Sequence, residues 1–253
     1  MKITLITLLT LIFSNIGAQS VHVTYNNKIA LNIENFDNLN ESTKQILKSW
    51  EKGELYSLLI SEEKSIYGPV NKLQPVIKKS TTKDEFGNTL KKESIVNAYS
   101  EVIYKDLNSK QMISQVNFSG NTYLIEENTI DIKWEISKEK EQIGDFLCQK
   151  ATAFINNDFV EAWFTTEIPI PNGPSVYSNL PGLIIQVKYG KRVITATKIA
   201  YDIKTNDIIP PRDGEKVSRE NYIAIVTNFQ NQKLGTTTTV NGNTTTTNTI
   251  RKN

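Results

Sequence analysis

The sequence contains only one cysteine and one histidine among its 253 residues. Cys148 has no partner in the chain, so an intramolecular disulfide is excluded, and a chain of this length can bury a sizeable core without one. One histidine and one cysteine cannot assemble a zinc site of the usual nitrogen and sulfur ligands. A Ser-His-Asp or Cys-His arrangement would have to use His22, near the amino terminus. We therefore expect neither zinc catalysis nor catalysis by a Ser-His-Asp or Cys-His arrangement. We also expect Cys148 to be buried and unreactive.

A strong charge of one sign is also missing. The 29 lysine and arginine residues nearly balance the 27 aspartate and glutamate residues, and the formal net charge is +2. Nucleic-acid-binding proteins usually carry a basic stripe, so we expect no nucleic-acid partner. Gly-rich phosphate loops and nucleotide fingerprints are absent from the sequence, and we predict no cofactor and no metal site.

Carboxylates are the remaining source of enzyme chemistry in this sequence. We expect a protein that is not an enzyme, because acidic side chains at strand ends are usually solvated. A carboxylate-dependent hydrolase stays open as the enzymatic alternative, since a pair of carboxylates can cleave a glycosidic bond. The candidate acids are Asp145, Asp158, Glu161 and Glu167.

The amino terminus has the pattern of an export signal. Lys2 precedes an apolar run from Ile3 to Phe13, and small residues lead to Ala18. This run is shorter than the roughly 20 apolar residues that span a bilayer, and no later segment reaches that length. We predict a signal peptide over residues 1–18, no transmembrane segment after its cleavage, and a periplasmic or outer-membrane-associated protein, with secretion as the alternative.

Alternating apolar and polar residues indicate strands through the middle of the chain. Clear runs are Met112–Phe118, Ile132–Ile136 and Val193–Tyr201, and short turn clusters of Asn, Asp, Ser and Gly separate such runs. Closely spaced strands without crossover helices predict a twisted antiparallel meander over about residues 97–201, with a half-barrel as a further possibility for its shape. The fold class is α+β, mostly β.

Two helices are expected at the periphery of this sheet. An apolar stripe that contains Trp50 lies between Asn40, a plausible N-cap, and Gly53, a plausible stop. A second stripe runs from Tyr222 to Phe229 after Ser218, a further capping residue. We expect a single β-rich domain over residues 19–232.

The last segment, residues 233–253, is a tail rich in threonine and asparagine. Two runs of four threonines flank Asn241-Gly242, and Asn-Gly between β-branched residues favours a hairpin. A two-stranded ribbon with almost no apolar side chain is marginally stable by itself. Disorder and a hairpin added to the main sheet both remain open.

The segment from Asn172 to Ile184 contains two Gly/Pro turn signals around an aromatic residue and leads into an apolar strand. Upstream lie Cys148-Gln149-Lys150-Ala151, Ala162-Trp163-Phe164-Thr165 and Ile168-Pro169. In order and spacing these motifs resemble the GLPGLI family of exported Bacteroidetes proteins, with Asn179 in place of the first glycine of the signature. Asn tolerates positive φ better than most residues, so the turn could survive this change. The residues singled out are Trp163, Gly173, Pro174, Tyr177, Asn179, Leu180, Pro181, Gly182, Leu183 and Ile184.

This signature loop has two interpretations. The structural one is a sharp corner that feeds a core strand: Pro181 fixes its own φ, and Gly182 allows a positive φ or a close backbone approach. The functional one is a rigid, aromatic-rimmed loop that binds a ligand or partner. The resemblance implies an exported binding or accessory module for an outer-membrane receptor or other envelope protein. The alternative is a periplasmic carrier of a lipid or another apolar ligand, with an apolar concave face.

Overall fold

The computed structural model describes residues 20–31, 36–71, 76–83, 89–96, 100–201, 208–240 and 243–248. The described chain is mostly β, with one open twisted sheet of twelve strands and two helices, so the predicted fold class is confirmed. The predicted signal peptide, residues 1–18, lies outside the described residues.

Sixteen strands and two α-helices are described. The strands are β1 (Val21–Ile29), β2 (Glu54–Ser61), β3 (Lys64–Pro69), β4 (Val76–Lys83), β5 (Thr89–Val96), β6 (Ser100–Asp106), β7 (Gln111–Phe118), β8 (Asn121–Asn128), β9 (Glu135–Ile143), β10 (Phe146–Ile155), β11 (Asp158–Thr165), β12 (Leu183–Tyr189), β13 (Arg192–Tyr201), β14 (Glu215–Lys216), β15 (Gly235–Val240) and β16 (Asn243–Asn248). The helices are α1 (Glu41–Lys52) and α2 (Arg219–Leu234).

The large sheet has the strand order β14-β8-β7-β6-β3-β2-β1-β13-β12-β11-β10-β9. Its neighbours are antiparallel, as predicted, except for the short parallel pair β14–β8. The sheet is open, with β14 and β9 at its edges. The predicted range of the sheet, about residues 97–201, was too short. The first three strands lie in the middle of the sheet, and β1 joins the two halves by pairing with both β2 and β13.

The prediction of a strand over Ile132–Ile136 was wrong in its position. Strand pairing begins only at Glu135, and the preceding residues run without a ladder. Their alternation has another cause. Ile132 is buried in an apolar cluster, while the Trp134 indole donates a hydrogen bond to the Ser178 carbonyl oxygen at 2.9 Å. Packing on a loop thus produced a pattern that resembles a strand.

Both helices begin after their predicted capping residues, and the first ends at Gly53 as predicted. The Asn40 side chain accepts a hydrogen bond from the Thr43 amide at 2.9 Å, and the Ser218 hydroxyl accepts one from the Asn221 amide at 3.2 Å. The second helix packs Tyr222 against β8, within an apolar cluster of its own. The first helix has no buried residue, and the Trp50 side chain on its apolar stripe is 46% exposed.

Two further sheets have two strands each. β4 pairs with β5, and β15 pairs with β16 with Thr236 opposite Thr247. For the tail, the structure therefore has the hairpin rather than disorder over residues 235–240 and 243–248, and this hairpin forms its own sheet instead of extending the main one.

The connection between β11 and β12, residues 166–182, is called the β11–β12 loop below. It begins after Thr165 and returns to the sheet at Leu183, whose amide donates to the Ile168 carbonyl oxygen at 2.9 Å. Gly182 does not have a positive φ. A Cβ at this position would overlap the Thr165 carbonyl oxygen and lie 2.7 Å from its carbonyl carbon. Of the two reasons that the sequence offered for this glycine, close backbone approach is the one realised.

We predict that Gly182→Ala destabilises the protein by more than about 2 kcal/mol, because backbone must move to admit the methyl group. Gly68→Ala is the matched control. Its Cβ would lie 3.1 Å from a Val102 methyl group, which belongs to a side chain that can adjust. Urea unfolding of both variants measures the difference. Equal free energies of unfolding for the two variants would contradict the close approach.

Candidate functional site

A cleft of about 620 Å³ opens where the carboxyl end of β1 meets the end of α1 and the start of β2. The end of β12, the start of β13, one residue each of β3 and β6, and one residue of the β11–β12 loop complete its walls. The residues that line it are Asn27, Ile29, Ser49, Trp50, Lys52, Gly53, Glu54, Tyr56, Tyr67, Glu101, Ser175, Tyr189, Arg192 and Ile194. This cavity with its lining residues is called the cleft below. Its lining combines aromatic rings with planar polar groups.

Gly53 determines how α1 meets this cleft. It ends the helix with φ +74, and its amide donates to the Ser49 carbonyl oxygen at 3.1 Å. A Cβ there would overlap the Asn26 side-chain oxygen, so only glycine lets the helix end lie this close to β1. The Asn26 amide group also donates to the Lys52 carbonyl oxygen at 3.1 Å. These contacts place Trp50 at the rim of the cleft.

The aromatic wall of the cleft is built by three tyrosines and this tryptophan. The rings of Tyr56 and Tyr67 stack with their centroids 5.0 Å apart and their planes at 14°. Both rings are buried to within 8% exposure, whereas Trp50 is nearly half exposed. The cleft thus presents one half-exposed aromatic side chain at its rim and a buried, stacked pair of tyrosines.

The carboxylates of the cleft affect the pKa values of its three tyrosines. Burial, together with the carboxylates of Glu54 and Glu101, raises the pKa of Tyr56 to about 12. Burial also raises the pKa values of Tyr67 and Tyr189, and Glu101 adds to both shifts. The phenols therefore stay protonated and can donate hydrogen bonds at neutral pH.

A guanidinium faces this acidic side of the cleft. Arg192 Nη1 donates to the Asn27 side-chain oxygen at 2.9 Å, which fixes the guanidinium at the start of β13. Its positive charge opposes the rise in the pKa values of Tyr56 and Tyr189, so it lies within electrostatic reach of both phenols. The cleft is thus mixed in charge, with donors and acceptors close to aromatic faces.

The residues singled out from the signature mostly form packed structure. Trp163, Tyr177, Leu180, Leu183 and Ile184 are each no more than 6% exposed. Tyr177 packs with Leu180 and Ile184 in one cluster, and Trp163 with Leu183 in another.

The remaining signature residues occupy turns of the β11–β12 loop. Gly173, Pro174 and Gly182 are buried, whereas Asn179 and Pro181 are exposed. Asn179 has φ +70, the conformation for which asparagine substitutes for glycine with least strain. None of the singled-out residues lines the cleft. The loop contributes Ser175 instead.

Sequence reasoning missed the most unusual contact of this loop. Lys105 is fully buried on β6, and its ammonium donates to the carbonyl oxygens of Gly173 and Tyr177, each at 3.0 Å. Burial lowers the pKa of Lys105 to about 7. One indication of this contact was present in the sequence. Lys105 directly follows Ile103 and Tyr104, so a charged residue stands at the end of an apolar stretch of a strand.

The aromatic residues of the cleft were missed for a different reason. Tyr56, Tyr67 and Tyr189 come from three strands that are far apart in sequence, and no local spacing connects them. Trp50 was assigned to a stripe that packs on the sheet, yet it lies at the rim of the cleft. Only the topology brings these side chains together.

The carboxylates of the hydrolase alternative are placed outside the cleft. Glu161 accepts a hydrogen bond from the Trp163 indole at 2.8 Å and pairs with Lys188 at 3.1 Å and Lys150 at 3.3 Å. Partial burial acts to raise its pKa, but these donors outweigh it and the pKa is lowered. Such a carboxylate is ionised and cannot serve as a general acid. Glu167 accepts from the Leu147 amide at 3.1 Å.

The single histidine lies in the sheet rather than at a frayed end. His22 is part of β1, and its Nε2 lies 2.8 Å from the Ser57 hydroxyl. Over the ranges that the structure describes, no cluster of three His, Cys, Asp or Glu side chains could hold a metal ion. None of the helices in that part of the chain is long and apolar enough to span a membrane.

Cys148 should resist thiol reagents in the native protein. Its side chain is fully buried, and burial, with the Glu167 and Glu141 carboxylates adding to it, raises its pKa to about 11. The thiolate is the reactive form, so labelling at pH 7.5 should proceed only at the rate of unfolding. Labelling with a maleimide in buffer and in urea measures both rates. Complete labelling of the folded protein within minutes would contradict this.

Stability should fall between about pH 10 and pH 12. Burial is the first cause that raises the pKa values of Tyr56 and Tyr222 to about 12, against about 10 in an unfolded chain. The stabilisation is complete below pH 10 and is lost as the pH rises through the folded pKa, at up to about 1.4 kcal/mol per pH unit for each phenol.

Urea unfolding at pH 8, 10 and 11 measures this loss, and tyrosinate absorbance at pH 11 counts the ionised phenols. The Tyr56→Phe variant should show a shallower decline. A native protein whose phenols all ionise near pH 10, as in urea, would contradict the expectation.

The comparisons with known proteins agree with this fold. The solved structures that match include two described as the structure of PNGF-II in P21 and in C2 space groups, with 15% and 14% identity and a TM-score of 0.52 each. Each match covers 87% of this chain and 34% of the other, so this chain spans about a third of the length of those proteins. No curated protein matches the sequence.

The family assignment made from the signature is wrong. Residues 60–223 match the family described as N-glycanase peptide, N-terminal domain, and nothing supports the GLPGLI family. The motifs that suggested it are strand and core residues of β10, β11 and β12 and turn residues of the β11–β12 loop. Because the match covers more than half of the sequence, this chain belongs to the N-glycanase peptide, N-terminal domain family.

Proposed function

We propose that this protein is a glycan-binding module of an N-glycanase-like protein and that the cleft is its binding site. The observation that carries the proposal is the composition of the cleft. Trp50 offers an exposed aromatic face, the buried phenols offer donors, and Arg192, Asn27 and the two glutamates offer planar polar groups. Sugars are bound in this way, because their C–H faces pack on aromatic rings while their hydroxyls need donors and acceptors.

Membership in an N-glycanase domain family supports a glycan rather than another polyhydroxylated ligand. The proposed role is binding. Glu54 and Glu101 lie in the cleft together with Arg192, and this mixed charge fits a neutral oligosaccharide.

The location and partners form part of the same proposal. The predicted signal peptide over residues 1–18 supports export to the cell envelope, where the module would meet glycoproteins. An outer-membrane receptor stays a prediction. A carrier of apolar ligands is supported less well, because the apolar side chains of the central strands, such as Val23, Leu58 and Ile60, are within 1% of full burial in a packed cluster.

Binding can be measured with a peptide that carries a neutral N-linked oligosaccharide, with the bare peptide as the control ligand. We expect the glycopeptide to change the tryptophan fluorescence and to bind at least about tenfold more tightly than the bare peptide. Trp50→Ala should reduce the affinity by about tenfold or more, because truncating an aromatic anchor of a binding site typically costs more than 1 kcal/mol.

The matched control is Phe154→Ala, which removes an aromatic side chain that is 75% exposed and lies outside the cleft. This variant should bind the glycopeptide as the wild type does. Equal affinity for the two peptides would contradict glycan binding, and an unchanged affinity in Trp50→Ala would contradict the assignment of the cleft.

A further inference from the structure

The contact between Lys105 and the β11–β12 loop joins two distant parts of the sheet. Four strands separate β6 from β12 in the strand order, yet the ammonium on β6 reaches two carbonyl oxygens in the connection that leads into β12. Both distances are 3.0 Å, and the lysine has no exposed surface. A charged donor makes shorter and stronger hydrogen bonds than a neutral one.

The two carbonyl groups lie on either side of the loop residue that reaches the cleft. Gly173 and Tyr177 accept from Lys105, and Ser175 lies midway between them. Ser175 has φ +53, a backbone conformation that serine rarely adopts without external support.

Within the described part of the chain, the backbone hydrogen bonds between this loop and the residues around it lie outside the segment from Gly173 to Tyr177, which is called the tip. The Ile184 amide donates to the Asn172 carbonyl oxygen at 3.0 Å, and the Asn179 amide donates to the Pro171 carbonyl oxygen at 3.1 Å. Within the tip, the Tyr177 amide donates to the Pro174 carbonyl oxygen at 3.1 Å. Among the residues that the structure describes, Lys105 is thus the side chain whose hydrogen bonds tie this tip to the sheet.

We propose that Lys105 is the positioning residue of the cleft: its buried ammonium fixes the segment from Gly173 to Tyr177 and thereby holds Ser175 in the cleft wall. The ligand in this proposal is the one assigned under the proposed function, but the positioning of the loop does not depend on it.

The residues that pair with Lys105 in the sheet are uncharged. Ser65 pairs with Lys105 across β3, and Met112 pairs with it across β7. The phenol of Tyr177 stays protonated, because burial raises its pKa. Burial is likewise what lowers the pKa of Lys105 itself.

The charged groups nearest in the sheet have partners of their own. On the same strand, Asp106 accepts from the amides of Asn108 and Ser109 at 3.0 Å. On β8, beyond Met112, Glu127 pairs with Arg219. On β3, Lys64 pairs in register with Asp106.

Trp134 provides a reporter of the loop that is independent of any ligand. Its indole donates to the Ser178 carbonyl oxygen at 2.9 Å, one residue beyond the carbonyl that Lys105 holds. The indole N–H resonance of Trp134 in a ¹H–¹⁵N spectrum therefore reports the position of the loop. A lysine that only fills space in the core would not move this resonance when methionine, of similar volume, replaces it.

The test compares the wild type with Lys105→Met and with Lys64→Met, which removes a charge from an exposed lysine on the neighbouring strand. In Lys105→Met we expect a shifted or broadened Trp134 indole resonance and an affinity for the neutral N-glycopeptide reduced by about tenfold. Lys64→Met should match the wild type in both. An unchanged indole resonance and an unchanged affinity in Lys105→Met would overturn the proposal.

If the wild type does not bind the glycopeptide, the proposed function fails and the indole resonance alone decides whether Lys105 positions the loop. If Lys105→Met does not fold, the wild type is titrated instead. The indole resonance should then change as the pH rises through about 7, because the neutral amine makes weaker hydrogen bonds. A resonance that stays constant from pH 6 to pH 9 would overturn the proposal in that case.

Discussion

A buried ammonium group ties the β11–β12 loop to the far half of the sheet. Lys105 comes from the half formed by β6, β7 and β8, and the carbonyl oxygens that it contacts belong to the loop that leads into β12. A charge of this kind is costly to bury, and it is tolerated only when hydrogen bonds replace water. The β11–β12 loop must lie where it does for Gly182 to approach the Thr165 backbone and for Tyr177 and Leu180 to be buried. The cleft depends on it too, since Ser175 completes its wall.

The cleft brings together side chains that no local pattern connects. Trp50 comes from the end of α1, Tyr67 from β3, and Arg192 from the first residue of β13. The shape of the site thus results from the strand order, in which β1 lies between β2 and β13. The PNGF-II structures show the same fold at low identity, and this chain spans about a third of their length.

Much of the fold could be predicted from the sequence because local rules determine it. Asn40 and Gly53 delimit α1 as capping chemistry requires, and alternation located β7 and β13. Alternation failed at Ile132, where a loop residue packs inward and imitates the period of a strand. It also could not show that β1 lies in the centre of the sheet, because strand order depends on contacts that are distant in sequence. The site was least predictable: the signature motif attracted attention to residues that pack the core, whereas the residues of the cleft are dispersed through the chain.

The most direct test of this account is a map of where a glycan contacts the protein. Amide chemical shifts recorded during a titration with a neutral N-glycopeptide would provide it. We expect the largest changes at Asn27, Gly53, Ser175 and Arg192, which come from four separate segments but line one cleft. Changes confined to another surface, such as the exposed pair of Phe154 and Phe159 at the tip of the β10–β11 hairpin, would contradict it.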